Sequence, residues 1–335
     1  MGTVYILGAG ASHFACFPLA GGLWQFLQRE LDQTKNEVIK RHGSQCRALV
    51  ERVSEFIQKD KPPLCPPDLE MIFTLIDLVE IQGGVLGSLD FRGFDLYAAR
   101  YGFASLVTDA FQGHSSDVQK WLEDKSRVAQ AWAGTVNRGD TIISFNWDLL
   151  HEMILFKKGK WNYQDGYGFP AQRQTQGQGS PILILKLHGS CNWALQHPDD
   201  PSPSVDYIAQ FFEFADPNGN FTSTSDHGES LILPSYLKDP SQKPSLHTVW
   251  KQAYNALREA TEVIVLGYSL PLADVPTRTV MSLALRQNMT LDVINVALGD
   301  PLTAGDAYRR WSDFCGHLAK RINPIYKTFE AFVLG

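Results

Sequence analysis

The chain has 335 residues and a formal net charge of −6, and its basic residues are scattered along the sequence. This length exceeds what one small hydrophobic core needs, and it predicts a large α/β domain with an inserted subdomain, or two domains. The scattered charge argues against direct nucleic-acid binding, because phosphate binding needs a concentrated cationic face.

Cysteine usage and the amino terminus indicate the compartment. The five cysteines form no C-x-x-C pair, and their odd number fits neither a disulfide framework nor a zinc ribbon. The amino terminus lacks the basic region and the long apolar core of a signal peptide. No apolar run approaches the roughly 20 residues that a membrane-spanning helix needs. We therefore expect a soluble cytoplasmic protein without a metal centre and without membrane association.

The chain opens with a strand, a glycine turn and a helix. Residues 3–12, TVYILGAGAS, form a short β-run that breaks into glycines and a serine, and an amphipathic helix begins near Pro18 or Gly22. This order is typical of the start of a nucleotide-binding α/β unit. Residues 26–137 then show the three-four apolar spacing of helices, with Asp68 as a predicted N-cap. We predict that they form a helical insertion.

Strand signals return in the second half of the chain. Most of these runs are almost purely apolar, as is typical of parallel strands covered on both faces. The predicted strands are residues 140–146, 181–189, 229–234, 261–269 and 290–297.

The segments between these strands complete the predicted fold. Residues 245–260 read as a crossover helix, and residues 196–228, rich in Pro, Asp, Ser and Asn, read as a loop. Residues 309–311, RRW, read as a solvated helix face. The pattern predicts an α/β fold with a doubly wound, Rossmann-like, mostly parallel sheet. Residues 1–25 and 138–335 are expected to form this domain.

Polar or small residues follow five of the six predicted strands. Ligands of doubly wound sheets bind outside the carboxyl ends of the strands, so these residues are expected to share one pocket edge. They are Gly8, Gly10, Ala11 and Ser12, then Asn146 and Asp148, then His188, then Gly267, Ser269 and Asp274, and finally Asn295.

Each of these residues also has a purely structural explanation. His188 can cap its strand, and Asn146 and Asp148 can form an Asx-turn. Ser12 and Ser269 can be helix N-caps. The convergence of the whole set is what favours a pocket.

The motifs GAGAS, SFNWD, KLHGSCNW, VLGYSLPLAD and VIN occur in the order seen in the sirtuin-like family of NAD-consuming proteins. The chain is most similar to the bacterial branch of this family, whose members act as NAD hydrolases in antiphage defence. The motifs span residue 5 to about residue 296 and omit only the helical insertion. The ordered pair KLHGS and GYSLPLAD is the most specific part of the resemblance.

The resemblance implies a role for each matching residue. Asn146 and His188 match the catalytic positions, Asn146 holding the nicotinamide ribose and its water. The cofactor-binding positions are matched by Gly8, Gly10, Ala11 and Ser12 for the pyrophosphate, Asp148 for the ribose and carboxamide, Gly267 and Ser269 for a second phosphate turn, and Asn295 for the adenosine ribose.

Three departures separate the chain from protein-deacetylating sirtuins. The four zinc cysteines are absent, and the helical insertion stands where the small zinc domain would be. HFACFPLAGG follows GAGAS where a PDFR-type run is usual, so the cofactor-loop arginine has no counterpart. Phe145 stands where deacetylases usually carry Gln. These changes weigh against acyl-lysine peptide binding more than against NAD binding.

The resemblance implies an NAD glycohydrolase that uses NAD as its substrate and no metal. Cleavage of the nicotinamide–ribose bond passes through an oxocarbenium-like state, and a histidine can accept a proton at neutral pH. The alternatives are an NAD-dependent protein deacylase or ADP-ribosyltransferase, and a non-catalytic NAD or ADP-ribose-binding module. Hydride transfer fits less well, because GAGAS lacks the third glycine of G-x-G-x-x-G.

Uncontrolled NAD cleavage would be toxic to the cell, so control by assembly is expected. The resemblance implies a homo-oligomer and, in some systems, a separate nucleic-acid-handling partner such as a helicase/ATPase or an Argonaute-like protein. The chain has no such domain of its own, and the helical insertion is the expected assembly surface.

Overall fold

A computed structural model gives the structure of the chain. It describes residues 2–58, 68–87, 89–123, 127–162, 165–169, 180–195, 205–207, 231–238 and 244–335.

Six strands form one all-parallel sheet. Most of them are Val-, Ile- and Leu-rich and are buried on both faces, as parallel strands between two helical layers require. The strands are β1 (Thr3–Leu7), β4 (Thr141–Ser144), β5 (Leu183–Lys186), β8 (Glu262–Leu266), β9 (Val293–Ala297) and β10 (Arg321–Ile325). This confirms the predicted Rossmann-like α/β fold.

The strand order is β5-β4-β1-β8-β9-β10. Counted along the chain within this sheet, the order is 3-2-1-4-5-6, which is the order of the dinucleotide-binding doubly wound fold. The order reverses between β1 and β8, so the crevice that such folds use for ligands opens between the loops after these two strands.

Helices and two small antiparallel hairpins complete the described residues. The helices are α1 (Leu23–Gln33), α2 (Glu37–Gln58), α3 (Leu69–Ile81), α4 (Leu96–Glu123), α5 (Arg127–Thr135), α6 (Leu150–Lys157), α7 (Pro244–Glu259), α8 (Val275–Gln287), α9 (Pro301–His317) and α10 (Phe329–Val333). The hairpins pair β2 (Val85–Leu86) with β3 (Leu89–Asp90) and β6 (Trp193–Leu195) with β7 (Val205–Tyr207).

The region between β1 and β4 is mostly helical, as predicted. Asp68 caps α3 by accepting a hydrogen bond from the Met71 amide at 3.1 Å. Trp24 of α1 and Phe111 of α4 belong to the same hydrophobic core as Ile6 of β1. The helices are therefore packed onto the sheet, and the domain boundary at residues 26 and 137 stays a prediction.

Several predicted elements are corrected by the structure. Residues 231–234 are buried or half-buried but form no strand, although residues 229–234 were predicted as one. β10 was missed because Pro324 interrupts its pattern, which an edge strand tolerates. β7 lies within the predicted loop 196–228, most of which is outside the described residues. Arg309 is exposed, but Trp311 is fully buried, so only part of RRW is a solvated face.

Candidate active site at the carboxyl edge of the sheet

The loops after β1 and β8 contact each other directly at the switch point. A Cβ atom on Gly8 would lie 2.5 Å from Tyr268 Cα, and one on Gly10 would lie 2.8 Å from Gly267 Cα. Gly267 has a φ of +67°, and its Cβ would lie 2.4 Å from the Ala11 nitrogen. These glycines are therefore required by the close approach of the two loops, whether or not a ligand binds.

The backbone amides of the first loop are already engaged. The amides of Gly8, Gly10, Ala11 and Ser12 donate to the carbonyls of Leu266, Gly267, Gly8 and Ala9, respectively, at 2.8–3.1 Å. The resemblance implies that this loop holds the NAD pyrophosphate. At these four positions the N–H groups already donate to carbonyls of the protein, and the pyrophosphate role stays a prediction.

Asn146 connects the loops after β1 and β4. Its side-chain nitrogen donates to the Gly8 carbonyl and to Ser12 Oγ, both at 3.0 Å. Ser12 Oγ in turn donates to Asp148 Oδ1 at 3.1 Å. The Ser12 hydroxyl therefore joins the two loops and is not a helix cap. All three side chains are buried.

Asp148 forms an Asx-turn, the structural alternative that the sequence offered for this residue. Its Oδ1 accepts a hydrogen bond from the Leu150 amide at 3.0 Å. Burial raises the pKa of Asp148 although Lys186, the Leu150 amide and the Ser12 hydroxyl all act to lower it. The folded protein thus holds a proton on Asp148 more tightly than an exposed carboxyl would.

His188 lies just beyond β5 and is held by a carboxylate. Its Nε2 is 3.3 Å from Asp274 Oδ1, and Gly189, with a φ of +82°, turns the chain immediately afterwards. The His188 carbonyl accepts hydrogen bonds from the Trp147 indole at 3.1 Å and the Ile232 amide at 3.0 Å. The imidazole is therefore bonded to a buried acid. The backbone carbonyl at the strand end is bonded by Trp147 and Ile232, not by the histidine side chain.

Asp274 has further partners that fix its carboxylate. Tyr268 donates to Oδ2 at 2.6 Å and Thr277 donates to Oδ1 at 2.8 Å. Burial alone would raise the pKa of Asp274, but the neighbouring His188 and Lys238 and the Tyr268 hydrogen bond bring it below its usual value. Asp274 is therefore an ionised, oriented partner for the imidazole. The sequence placed Asp274 at the pocket edge but gave it no role.

The two residues that flank Asn146 both contact His188. The Phe145 ring meets the imidazole edge-on at 5.2 Å between centroids and stacks on Tyr268 at 4.0 Å. Trp147 binds the His188 carbonyl, as described above. The loops after β4 and β5 are thereby joined, with Asn146 between the two contacts and an apolar wall beside the imidazole.

A buried ion pair lies beneath these loops and was missed from the sequence. Lys186, the last residue of β5, has no solvent exposure, and its Nζ is 2.7 Å from Glu152 Oε1. The same ammonium donates to the Asp148 carbonyl. The detectable signal was a lysine inside an otherwise apolar strand, which is costly unless the charge is paired.

Two predicted residues form their hydrogen bonds with residues outside this cluster. Ser269 is half-buried, and its carbonyl accepts a hydrogen bond from Arg310 Nε at 3.0 Å. Asn295 is in the middle of β9 and does not follow it. Its side chain binds Glu262, the first residue of β8, at 3.1 Å. The predicted position of Asn295 after a strand end is therefore wrong.

A scan against models of known protein families finds no match to the chain, and a search of curated proteins finds none either. Within the described ranges, no three His, Cys, Asp or Glu side chains come together in a way that could hold a metal ion. None of the helices in those ranges is both long enough and apolar enough to cross a lipid bilayer.

Proposed function

We propose that this protein is an NAD hydrolase of the sirtuin-like class, which cleaves NAD to nicotinamide and ADP-ribose. One observation carries the proposal. A buried amide, Asn146, and a carboxylate-held imidazole, His188, follow adjacent strands beside the switch point of a sheet with dinucleotide-binding strand order.

The proposed chemistry uses each of these groups. A water attacks C1′ of the nicotinamide ribose, the C1′–N bond breaks, and its electron pair leaves with the ring, so cationic nicotinamide departs as a neutral molecule. Asn146 is fixed by its two donated hydrogen bonds, and its amide oxygen is the acceptor that would orient the ribose or the water.

His188 would take the proton that the attacking water loses. Asp274 fixes the ring and would stabilise the imidazolium that forms, as carboxylate partners of catalytic histidines do. General base action of this kind contributes about 10²–10⁴-fold in rate. The apolar Phe145 and Tyr268 rings beside the imidazole favour a site with little water.

The biological part of the proposal rests on the sequence resemblance. We infer a defence effector in the cytoplasm that depletes NAD on phage infection and works as a homo-oligomer or with a separate nucleic-acid-handling partner. Assembly would keep the activity silent until it is needed.

The test is incubation with NAD, with and without an acetyl-lysine peptide, and separation of the products by chromatography. We expect nicotinamide and ADP-ribose without peptide, and a loss of at least 100-fold in His188→Ala, from the size of general base effects. Asn146→Ala should also lose activity, because it removes the acceptor that would orient the ribose or the water. The exposed His247→Ala and Asn137→Ala are matched controls that should retain the rate. Wild-type turnover in both site variants, or release only with peptide, would contradict the proposal.

A further inference from the structure

A short segment, residues 231–238, connects helix α3 to His188. At one end, the Ile232 amide donates to the His188 carbonyl at 3.0 Å. At the other end, Ser235 Oγ donates to Asp77 Oδ2 at 2.5 Å, and the Tyr236 amide donates to Thr74 Oγ1 at 2.7 Å. The segment therefore binds the histidine backbone and two consecutive turns of α3 through direct hydrogen bonds.

Lys238 makes a second link between α3 and the histidine. Its side chain is only 6% exposed, and its Nζ lies 3.3 Å from Glu70 Oε1 on α3 and 3.9 Å from Asp274 Oδ1. The first distance allows a hydrogen bond, whereas the second is an ion-pair distance beyond hydrogen-bond range. The Lys238 ammonium is thus within hydrogen-bond distance of Glu70 and only within ion-pair distance of Asp274.

The oxygen that Lys238 approaches is the one that holds His188. Asp274 Oδ1 is 3.3 Å from His188 Nε2 and already accepts a hydrogen bond from Thr277. A third donor at hydrogen-bond distance would compete with the imidazole, because a carboxylate oxygen has about two lone-pair sites. An ammonium is a strong competitor, since its bond to a carboxylate is charge-assisted.

We propose that Glu70 is a positioning residue that keeps Lys238 away from Asp274, so that α3 sets how firmly Asp274 holds His188. The helical region and the catalytic histidine are then coupled through one shared carboxylate oxygen. A displacement of α3 that breaks the Glu70–Lys238 contact, for example on assembly, would release Lys238 towards Asp274 and weaken the hold on His188. The catalytic consequence rests on the proposed NAD hydrolase function, whereas the coupling itself does not.

The kinetic test compares Glu70→Gln with the double variant Glu70→Gln/Lys238→Met. We expect Glu70→Gln to lower kcat at least tenfold with KM within about twofold, because the change acts on His188 and not on substrate contacts. Removing the competing ammonium as well should restore kcat to within about threefold of wild type. Glu259→Gln, which lies on α7 and breaks the pair with Arg258, is the control and should retain kcat. Thermal unfolding of each variant checks that it is folded.

A spectroscopic test decides the coupling without turnover. In protein labelled with ¹⁵N-histidine, the downfield proton of the His188–Asp274 hydrogen bond is assigned by its loss in His188→Asn. We expect this resonance to weaken or shift upfield in Glu70→Gln and to return in the double variant. An unchanged resonance in Glu70→Gln, or no recovery in the double variant, would overturn the inference. Absent NAD cleavage in wild type would count against the proposed function alone.

Discussion

Asp148 is the residue at which folding stability and the proposed activity oppose each other. Because burial raises the pKa of Asp148, its ionised form destabilises the folded protein at neutral pH. This cost disappears below about pH 4, where the carboxyl is protonated in the unfolded chain as well. We expect Asp148→Asn to melt at a higher temperature than wild type at neutral pH, to lose that advantage near pH 4, and to cleave NAD poorly. Calorimetry across pH and a nicotinamide-release assay measure these effects.

Asp109 supplies the control for this prediction. Burial also raises the pKa of Asp109, against the hydrogen bond from Thr34, but its carboxyl lies on α4 outside the site described above. Asp109→Asn should therefore gain stability at neutral pH and keep full activity. If Asp148→Asn is less stable than wild type at neutral pH, its carboxylate contributes more through its hydrogen bonds than its burial costs.

Gly267 is a position at which the local backbone geometry requires glycine. Its φ of +67° resembles the +63° of Gly159, but a Cβ on Gly159 meets no atom within 4 Å, whereas one on Gly267 would lie 2.4 Å from the Ala11 nitrogen. We expect Gly159→Ala to lose about 1–2 kcal/mol, the cost of left-handed backbone alone. Gly267→Ala should lose several-fold more, because the loops after β1 and β8 must also separate. Urea unfolding compares the two variants, and equal losses would show that the loops can move apart freely.

At the scale of elements, the Lys186–Glu152 pair joins β5 to α6. Both side chains are buried, so removing one partner leaves an uncompensated charge that costs about 3–5 kcal/mol. We expect that loss in Lys186→Met, and recovery of most of it in Lys186→Met/Glu152→Gln, measured by urea unfolding. Arg309→Met, which breaks the exposed pair with Asp306, is the control and should change stability little. Equal stability of the single and double Lys186 variants would show that Glu152 carries no charge there.

The elements that the sequence predicts well are those with a local signature. β1, β4, β5, β8 and β9 are apolar runs that end in polar or glycine residues, and that pattern needs no knowledge of the rest of the chain. The run at residues 229–234 has the same local signature, yet its described residues pair with no strand. A local pattern does not show whether a sheet edge is available for pairing, so the prediction failed there. β10 is a strand that has no such local signature, because Pro324 interrupts it. A strand at the sheet edge tolerates a proline, which lacks the N–H that a central strand needs.

The residues of the candidate site likewise fall into those that a local pattern predicts and those that it does not. Asn146, Ser12 and His188 were found because each follows a predicted strand, and parallel strands deliver their carboxyl ends to one edge. The contacts of Lys238 with Asp274 and with Glu70 were not predicted. These residues are separated by long stretches of chain and meet only through tertiary packing. Asn295 was misplaced because a polar residue inside a strand looks like one that ends it.

For the whole molecule, the switch point divides the sheet into two halves that both border the crevice. The loops after β4 and β5 contribute Asn146 and His188 from one half, while the loop after β8 contributes Gly267 and leads to Asp274 in the other. A dinucleotide bound there must contact both halves, so it should stabilise the whole fold. At 100 times its Kd a ligand adds about 2.7 kcal/mol. For 335 residues this corresponds to about 4 °C in Tm. We expect that shift with NAD in His188→Asn, measured by thermal unfolding, and none with a nicotinamide and AMP mixture.

Hydrogen exchange locates the same binding event. We expect NAD to slow amide exchange together in residues 8–12, 144–148, 187–190 and 267–274, because these loops come from both halves of the sheet and meet at its carboxyl edge. The edge strand β10 lies two strands away from the switch point and should not change. Protection confined to one half would mean that the ligand does not bridge the switch point, and the thermal shift would then report binding elsewhere. Protection of both halves would place the nucleotide beside Asn146 and His188, where the proposed cleavage requires it.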